Sequence, residues 1–318
     1  MTRIHAGATM AAVALAASTA AGWQQEPTFK GGSDAVRVFV TVTDDDGRLV
    51  TNLTRDSFSI RDEGRPQPIT IFDNTPQPIR LVVMLDVSGS MAGNLPLLRG
   101  AADQLFSRLF DDDGARVGTF GDDVVISSTF TRDAGELRQA LPASIDQNAP
   151  TPLWRALDEA MNTFDDESDE RRPVLLVLSD GKDSGPIAFR QRYVSQVEVI
   201  DRARTDGVMV YAIGMRSRGG RPVQPGFGRG GLQEMLTADL PDPGLARVAE
   251  ETGGGYTEID ARDNLGAAFA RVADELHSQY LLGFEPPRRD GDVHEIDVRL
   301  TDRDLEPRAR KSYVAPED

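Results

Sequence analysis

The chain has 318 residues, with 35 Lys plus Arg against 51 Asp plus Glu and a formal charge of −16. That length suits about two domains able to bury a core, and the acidic balance repels a phosphate backbone, which sets nucleic acid aside as a partner. Cysteine is absent and histidine numbers three, so disulfides, thiolate zinc, iron–sulfur clusters and cysteine nucleophiles are excluded, and a metal must sit mainly on oxygen.

In chain order, residues 1–22 read as a secretory signal peptide: Arg3 gives the positive start, Ala8 to Ala17 the short apolar run, and Ser18 to Gly22 the small residues of a cleavage site near Ala20 or Ala21. The run falls short of the ~20 residues that span a bilayer, and no later segment is apolar for long enough. The expected address is exported, periplasmic or extracellular. His5 falls in this segment, leaving His277 and His294 for the folded part.

Residues 23–78 form an N-terminal β-segment and linker. Val36, Val38, Val40 and Val42 alternate onto one strand face, and Asp44-Asp45-Asp46-Gly47 makes a turn without the spacing of an EF-hand. Leu49-Val50, Phe58 to Ile60 and Ile69 to Phe72 give further short strands, broken at Asp62-Glu63-Gly64, Pro66 and Pro68. Asn74 to Pro78 is a linker.

From residue 79 to 277, continuous apolar runs of strand length alternate with helical stretches. This predicts an α/β fold: a doubly wound, mostly parallel sheet with helices on both faces. The strands expected are Leu81 to Leu85, a hairpin of Ala115 to Phe120 with Val124 to Phe130, Val174 to Leu178, Val208 to Ile213 and Tyr256 to Ile259. The helices expected are Leu95 to Phe110, one ending over Leu137 to Leu141, Leu153 to Phe164, Tyr193 to Arg204, Leu245 to Glu251 and Leu265 to Leu276. Residues 216–243, rich in Gly and Pro, read as a surface insertion. Residues 278–318 return to β character at Tyr280 to Phe284, Val293 to Leu300 and Arg310 to Val314. These strands are expected to pair with the N-terminal ones, so that both chain ends build one small β-domain.

The first buried strand ends in Asp86-Val87-Ser88-Gly89-Ser90-Met91, and ligands of doubly wound sheets bind at carboxyl ends of strands. An Asp with hydroxyls two and four residues on lets one loop present three oxygens, with Gly89 allowing a tight curl. Ser179-Asp180-Gly181 adds a carboxylate from a second strand end, and Thr151, before the Leu153 helix, adds a hydroxyl. Such a set suits a hard cation. The bland alternative is a group of polar caps, with Ser88 and Ser90 capping the following helix and Asp180 starting a turn.

On these residues the chain resembles the von Willebrand factor type A domain, whose metal-ion-dependent adhesion site uses an Asp-x-Ser-x-Ser loop, a Thr and a further Asp. The positions that match are Asp86, Ser88, Ser90, Thr151 and Asp180. Around Thr151 the sequence is Ala149-Pro150-Thr151-Pro152-Leu153, where the family commonly has glycines. With its flanking β-segments the chain is similar to the exported bacterial subgroup of that family. The resemblance implies a Rossmann-like sheet and a bound Mg²⁺, with Mn²⁺ or Ca²⁺ as substitutes. It also implies a vacant metal position filled by Glu or Asp of a protein partner, in a protein-binding and adhesion role rather than an enzymatic one. Two other readings stay open: a structural or assembly factor of the cell envelope whose β-domain makes the main contact, and, further off, a metal-dependent hydrolase. Asp183 is expected either to support the site from behind or to be merely exposed. Glu234, Asp239 and Asp242 of the insertion are candidates for capping the metal from within.

Overall fold

In the computed structural model the described residues are 35–166, 168–185, 192–216, 241–260 and 264–317. The segment 1–22, read from the sequence as a signal peptide, lies outside them, as do residues 217–240 of the insertion.

The strand periods of the sequence become two kinds of sheet. The central one is ordered β10(Tyr256–Asp260), β9(Met209–Arg216), β8(Arg172–Ser179), β5(Ile79–Asp86), β6(Gly114–Phe120), β7(Val124–Ile126). All pairings are parallel except that of β6 with β7. All eight residues of β5 are buried, as a strand covered on both faces requires. Successive side chains point to opposite faces. Leu81, Val83 and Leu85 pack with α1(Leu95–Phe106), α2(Ala134–Gln139) and α6(Leu265–Leu276), while Val82 and Met84 pack with α3(Leu153–Met161), α4(Gln196–Thr205) and α5(Gly244–Thr252).

The chain ends build two further four-stranded sheets. One is ordered β13(Leu305–Arg308), β1(Val36–Asp44), β11(Tyr280–Phe284), β4(Ile71–Asp73); the other β14(Ser312–Val314), β12(Val293–Leu300), β2(Phe58–Asp62), β3(Arg65–Gln67). Val36, Val38, Val40 and Val42 share one core with Ile60, Leu282, Phe284, Ile296 and Tyr313. The registers Val38 with Leu282 and Ile60 with Val298 join the N-terminal and C-terminal segments directly.

Several elements depart from the sequence reading, each for a local reason. Leu49-Val50 forms no strand, only a bridge from Leu49 to Thr43. The Val50 N–H still donates to the Val42 carbonyl at 2.9 Å, but its own carbonyl goes to a side chain: the Tyr280 hydroxyl donates to it at 2.8 Å and accepts from the Leu53 N–H at 2.9 Å. Tyr280→Phe should therefore cost about 1 kcal/mol in urea unfolding, because two part-buried backbone groups lose a partner; a loss near zero would show that water replaces the hydroxyl. Pro66 breaks nothing, since β3 is an edge strand where a missing N–H goes unused. β13, with Pro307 inside it, is likewise an edge strand that the sequence reading passes over. The first helix stops at Phe106 rather than Phe110, where the Asp113 carboxylate takes the N–H groups of Phe110 and Ile79 at 2.7 and 3.0 Å and turns the chain into β6. The fourth helix starts at Gln196 rather than Tyr193, set by a capping box between Ser195 and Glu198.

The β-sandwich is fixed to the base of the central sheet by buried polar groups. The Arg172 guanidinium donates to the Gln279 side-chain oxygen and to the Leu276 carbonyl, and lies over the Phe39 ring at 4.2 Å. Gln279 donates in turn to the Thr41 hydroxyl at 2.8 Å and to the Tyr211 hydroxyl at 3.3 Å. The opposite end of the sheet, where β5 and β8 finish, is thereby left to loops.

Candidate metal site at the carboxyl ends of the central strands

β5 and β8 are adjacent and parallel, with Leu85 level with Leu178, so the strand ends bring Asp86 and Ser179 side by side. The Ser179 hydroxyl donates to Asp86 Oδ2 at 2.5 Å and the Ser88 N–H donates to Asp86 Oδ1 at 2.8 Å. Ser90 Oγ donates to Asp180 Oδ1 at 2.6 Å and lies 3.0 Å from Ser88 Oγ. Asp86, Ser88 and Asp180 are buried, at 0, 2 and 1 % exposure, while Ser90 is exposed.

Thr151 reaches the same place from a third loop. A Cβ built on Gly181 would sit 2.9 Å from Thr151 Oγ1, so the hydroxyl lies against the backbone immediately after Asp180. The Thr151 N–H donates to Ser184 Oγ at 3.1 Å, and the Ser184 N–H returns a bond to the Thr151 carbonyl at 2.9 Å. The loop leading to Thr151 is joined to the Asp86 loop as well: the Gly89 N–H donates to the Ala149 carbonyl at 3.2 Å.

The serine caps of the alternative reading are not formed, whereas Asp180 does stand in a bend directly after β8. Ser88 precedes a 3-10 turn over Gly89–Gly93 but makes no side-chain cap bond there, and Asn94, not a serine, precedes α1. The hydroxyls are spent on each other and on Asp180. Gly89 has no positive φ; a tight curl is not its reason. A Cβ there would lie 2.1 Å from the Gln147 carbonyl oxygen, so the glycine serves the close approach of a second backbone.

Electrostatics mark the pair of carboxylates. Burial, and then the neighbouring Asp180 charge, push the Asp86 carboxyl from its ordinary 3.8 up to about 7, against the lowering by Ser179 and Ser88. Two buried carboxylates this close call for a proton or a cation between them. Among the described residues no three His, Cys, Asp or Glu side chains gather as a metal group, so the donor set on offer is two carboxylates and three hydroxyls. That is the hard, all-oxygen chemistry suited to Mg²⁺.

Asp183 is half-buried rather than exposed. Its Oδ1 accepts from the Trp154 N–H at 3.3 Å and its Oδ2 from the Gly185 N–H at 3.0 Å, so it closes the start of α3. Burial raises its carboxyl despite those two N–H groups, with the Asp242 charge adding to the rise. Asp242 is occupied too: Oδ2 accepts from the Asp183 N–H at 3.1 Å and Oδ1 from the Gly244 N–H at 2.8 Å. Of the three acids expected to cap the metal, it is thus committed to backbone groups, and Glu234 and Asp239 lie outside the described residues. Sequence reasoning missed Ser179 and Ser184. The first stands beside Asp180 in the motif and could have been found; the second carries no signal short of the fold.

Residues 81–227 match the von Willebrand factor type A domain. That match covers a little under half of the chain. The type A domain often serves protein–protein interaction in bacterial surface and pilus proteins. No curated protein matches the chain. Among solved structures, similarity is found to an aerotolerance-related membrane protein from Bacteroides fragilis carrying multiple mutations to serines (16 % identity, TM-score 0.46, 62 % of this chain and 98 % of that one). It is also found to BatB from Bacteroides thetaiotaomicron (17 %, 0.46, 62 and 98 %) and to the vWF domain of the type V pili tip protein Mfa5 from Porphyromonas gingivalis (12 %, 0.45, 63 and 95 %). Beside the type A domain stand the two sheets of the chain ends, and no helix among the described residues is long and apolar enough to cross a membrane.

Proposed function

We propose that this chain is an exported protein-binding module in which Asp86, Ser88, Ser90, Thr151 and Asp180 hold Mg²⁺, with Mn²⁺ or Ca²⁺ as substitutes, and through it a Glu or Asp of a partner protein. The observation that carries the reading is the meeting of three chain segments: Ser90 Oγ lies within hydrogen-bond distance of both Asp180 and Ser88, beside a buried Asp86, and Thr151 Oγ1 lies against Gly181, the residue after Asp180. When bound, the cation supplies a positive centre at which an outside carboxylate is attracted, since few anionic ligands surround it. The protein's part is preorganisation. Ser179 and the Ser88 N–H fix both oxygens of Asp86, and Ser184 fixes Thr151 from both sides of its backbone, so little ordering remains when the ligands close.

Binding rather than catalysis is supported by the fate of the two histidines in the described residues. His277 Nε2 lies 2.8 Å from Asp113 Oδ2 with its ring stacked on Phe110, and His294 sits between Asp62 and Asp290 at 3.1 and 3.0 Å. Each is engaged outside the site, which leaves the serines without the imidazole base of a hydrolytic triad.

Titration calorimetry with Mg²⁺ or Mn²⁺ tests the reading. One site per chain is expected for the wild type and none for Asp86→Ala, with unchanged far-UV circular dichroism, because Asp86 is the last residue of β5 and belongs to neither apolar cluster that packs the central sheet. Equal binding by both proteins would remove the assignment.

A further inference from the structure

Thr151 is held in the site by a chain of contacts that starts at Asp242, 91 positions away in sequence. Asp242 Oδ2 accepts the Asp183 N–H at 3.1 Å, and its Oδ1 is anchored by the Gly244 N–H at 2.8 Å, at the first residue of α5. Asp183 then spends its own carboxylate on Trp154, at the start of α3, and on Gly185. The next residue, Ser184, clasps Thr151 through two bonds: Thr151 N–H to Ser184 Oγ at 3.1 Å, and Ser184 N–H to the Thr151 carbonyl at 2.9 Å. The 181–185 loop is thus gripped from one side by α5 and α3, and grips Thr151 on the other.

The neighbouring packing leaves that loop few other ways to sit. Gly181 has Thr151 Oγ1 within 2.9 Å of where a Cβ would lie, and Gly244 is pressed on by the Trp154 ring, whose Cζ2 is 2.7 Å from the corresponding position. Gln196 of α4 donates to the Gly244 carbonyl at 3.2 Å, so the anchor of Asp242 is itself tied down.

From this geometry we infer that Asp242 is a positioning residue for the metal site: by holding the Asp183–Ser184 backbone it sets where the Thr151 hydroxyl stands. The inference rests on the metal-binding reading above and adds to it a residue from outside the three ligand loops. Groups that orient ligands from behind commonly change metal affinity by roughly 10–100-fold when removed. Asp242 acts through one intervening loop, so the lower end applies.

The test is a cycle of Mn²⁺ affinities, measured by calorimetry on wild type, Asp242→Ala, Thr151→Val and the double variant, with Asp242→Asn alongside. Amide hydrogen exchange at Thr151 and Ser184 is measured on the same proteins in EDTA. Asp242→Ala is expected to weaken Mn²⁺ binding about tenfold in the wild-type background and less than twofold once Thr151 is Val, because the effect travels through that hydroxyl. Exchange at Thr151 and Ser184 should quicken several-fold in Asp242→Ala. Asp242→Asn, which keeps one acceptor oxygen, should fall between. A tenfold loss in both backgrounds would mean a general structural effect and overturn the inference, as would unchanged affinity or unchanged exchange in Asp242→Ala. Wild-type protein that binds no Mn²⁺ would overturn the metal reading and this inference together, whereas the other failures leave the metal reading standing.

Discussion

Asp86→Asn is expected to make the metal-free protein more stable above pH 7 and, in the same molecule, to end its response to Mg²⁺. The sign follows from linkage. The Asp86 carboxyl stands at about 7 in the folded chain against an ordinary 3.8, so the unfolded chain gives up this proton at lower pH than the folded one. Metal-free stability therefore falls as pH rises from about 4 to about 7 and is level above that, while below about 4 this group contributes nothing to the slope. At ~1.4 kcal/mol per unit the upper bound on the loss is about 4 kcal/mol, and local relaxation makes ~2 kcal/mol a fair expectation. Asparagine keeps both contacts, its oxygen accepting from the Ser88 N–H and its amide facing the Ser179 hydroxyl, which can turn to accept. Only the charge is lost. Mg²⁺ at a hundred times its dissociation constant should add about 2.7 kcal/mol to the wild type and nothing to the variant. Urea unfolding in EDTA and in Mg²⁺, at pH 5 and pH 8, reads all four quantities. A variant less stable than wild type in EDTA at pH 8 would show that the folded chain already neutralises Asp86; an intact Mg²⁺ response would remove it from the ligand set.

Much of the architecture was legible in the sequence because the signals were local and strong. Continuous apolar runs of strand length at Leu81 to Leu85 and Val174 to Leu178 suit strands buried on both faces, and the alternation of Val36 to Val42 fixes which face of β1 meets the core. What was hidden depends on position in a sheet. Pro66 read as a breaker and the strand around Pro307 was passed over, yet both prolines sit in strands at sheet edges, and edge status is a property of the assembled sheet rather than of the local sequence. Leu49-Val50 failed for the opposite reason. Its composition suits a strand, but the Tyr280 hydroxyl, 230 residues on, takes the Val50 carbonyl.

The candidate site divides along the same line. Asp86 ends β5 and Ser88 and Ser90 follow it in the same loop, while Asp180 comes directly after the last residue of the strand paired with β5, so motif and strand order together place them. Thr151 was legible as a residue before a helix, but what holds it was not: Ser184, Asp183 and Asp242 act through backbone bonds across 33 and 59 positions, and Ser, Asp and Gly in such loops look alike without the fold. Gly89 was noticed for the wrong property, conformational freedom, when its missing Cβ is what counts.

Gly89→Ala is accordingly the substitution expected to damage metal binding most among those that leave every ligand in place. A methyl there would meet the Gln147 carbonyl oxygen at 2.1 Å and its carbon at 2.7 Å. These are backbone atoms, so no rotamer change relieves the clash. The Asp86–Ser90 loop must instead part from the 147–149 loop, breaking the Gly89 to Ala149 hydrogen bond and drawing Ser88 and Ser90 away from Thr151. A stability loss of ~1–3 kcal/mol is expected from the overpacking, and Mg²⁺ affinity should fall at least tenfold because ligands on two loops no longer meet. Gly93→Ala is the control. It lies in the same 3-10 turn, its added Cβ meets nothing within 4 Å, and both affinity and stability should stay at wild-type values. Wild-type affinity in Gly89→Ala would mean that the two loops can separate without disturbing the ligands, so that their contact plays no part in building the site. Loss in both variants would place the sensitivity in the turn as a whole instead of in the approach of the Gln147 backbone.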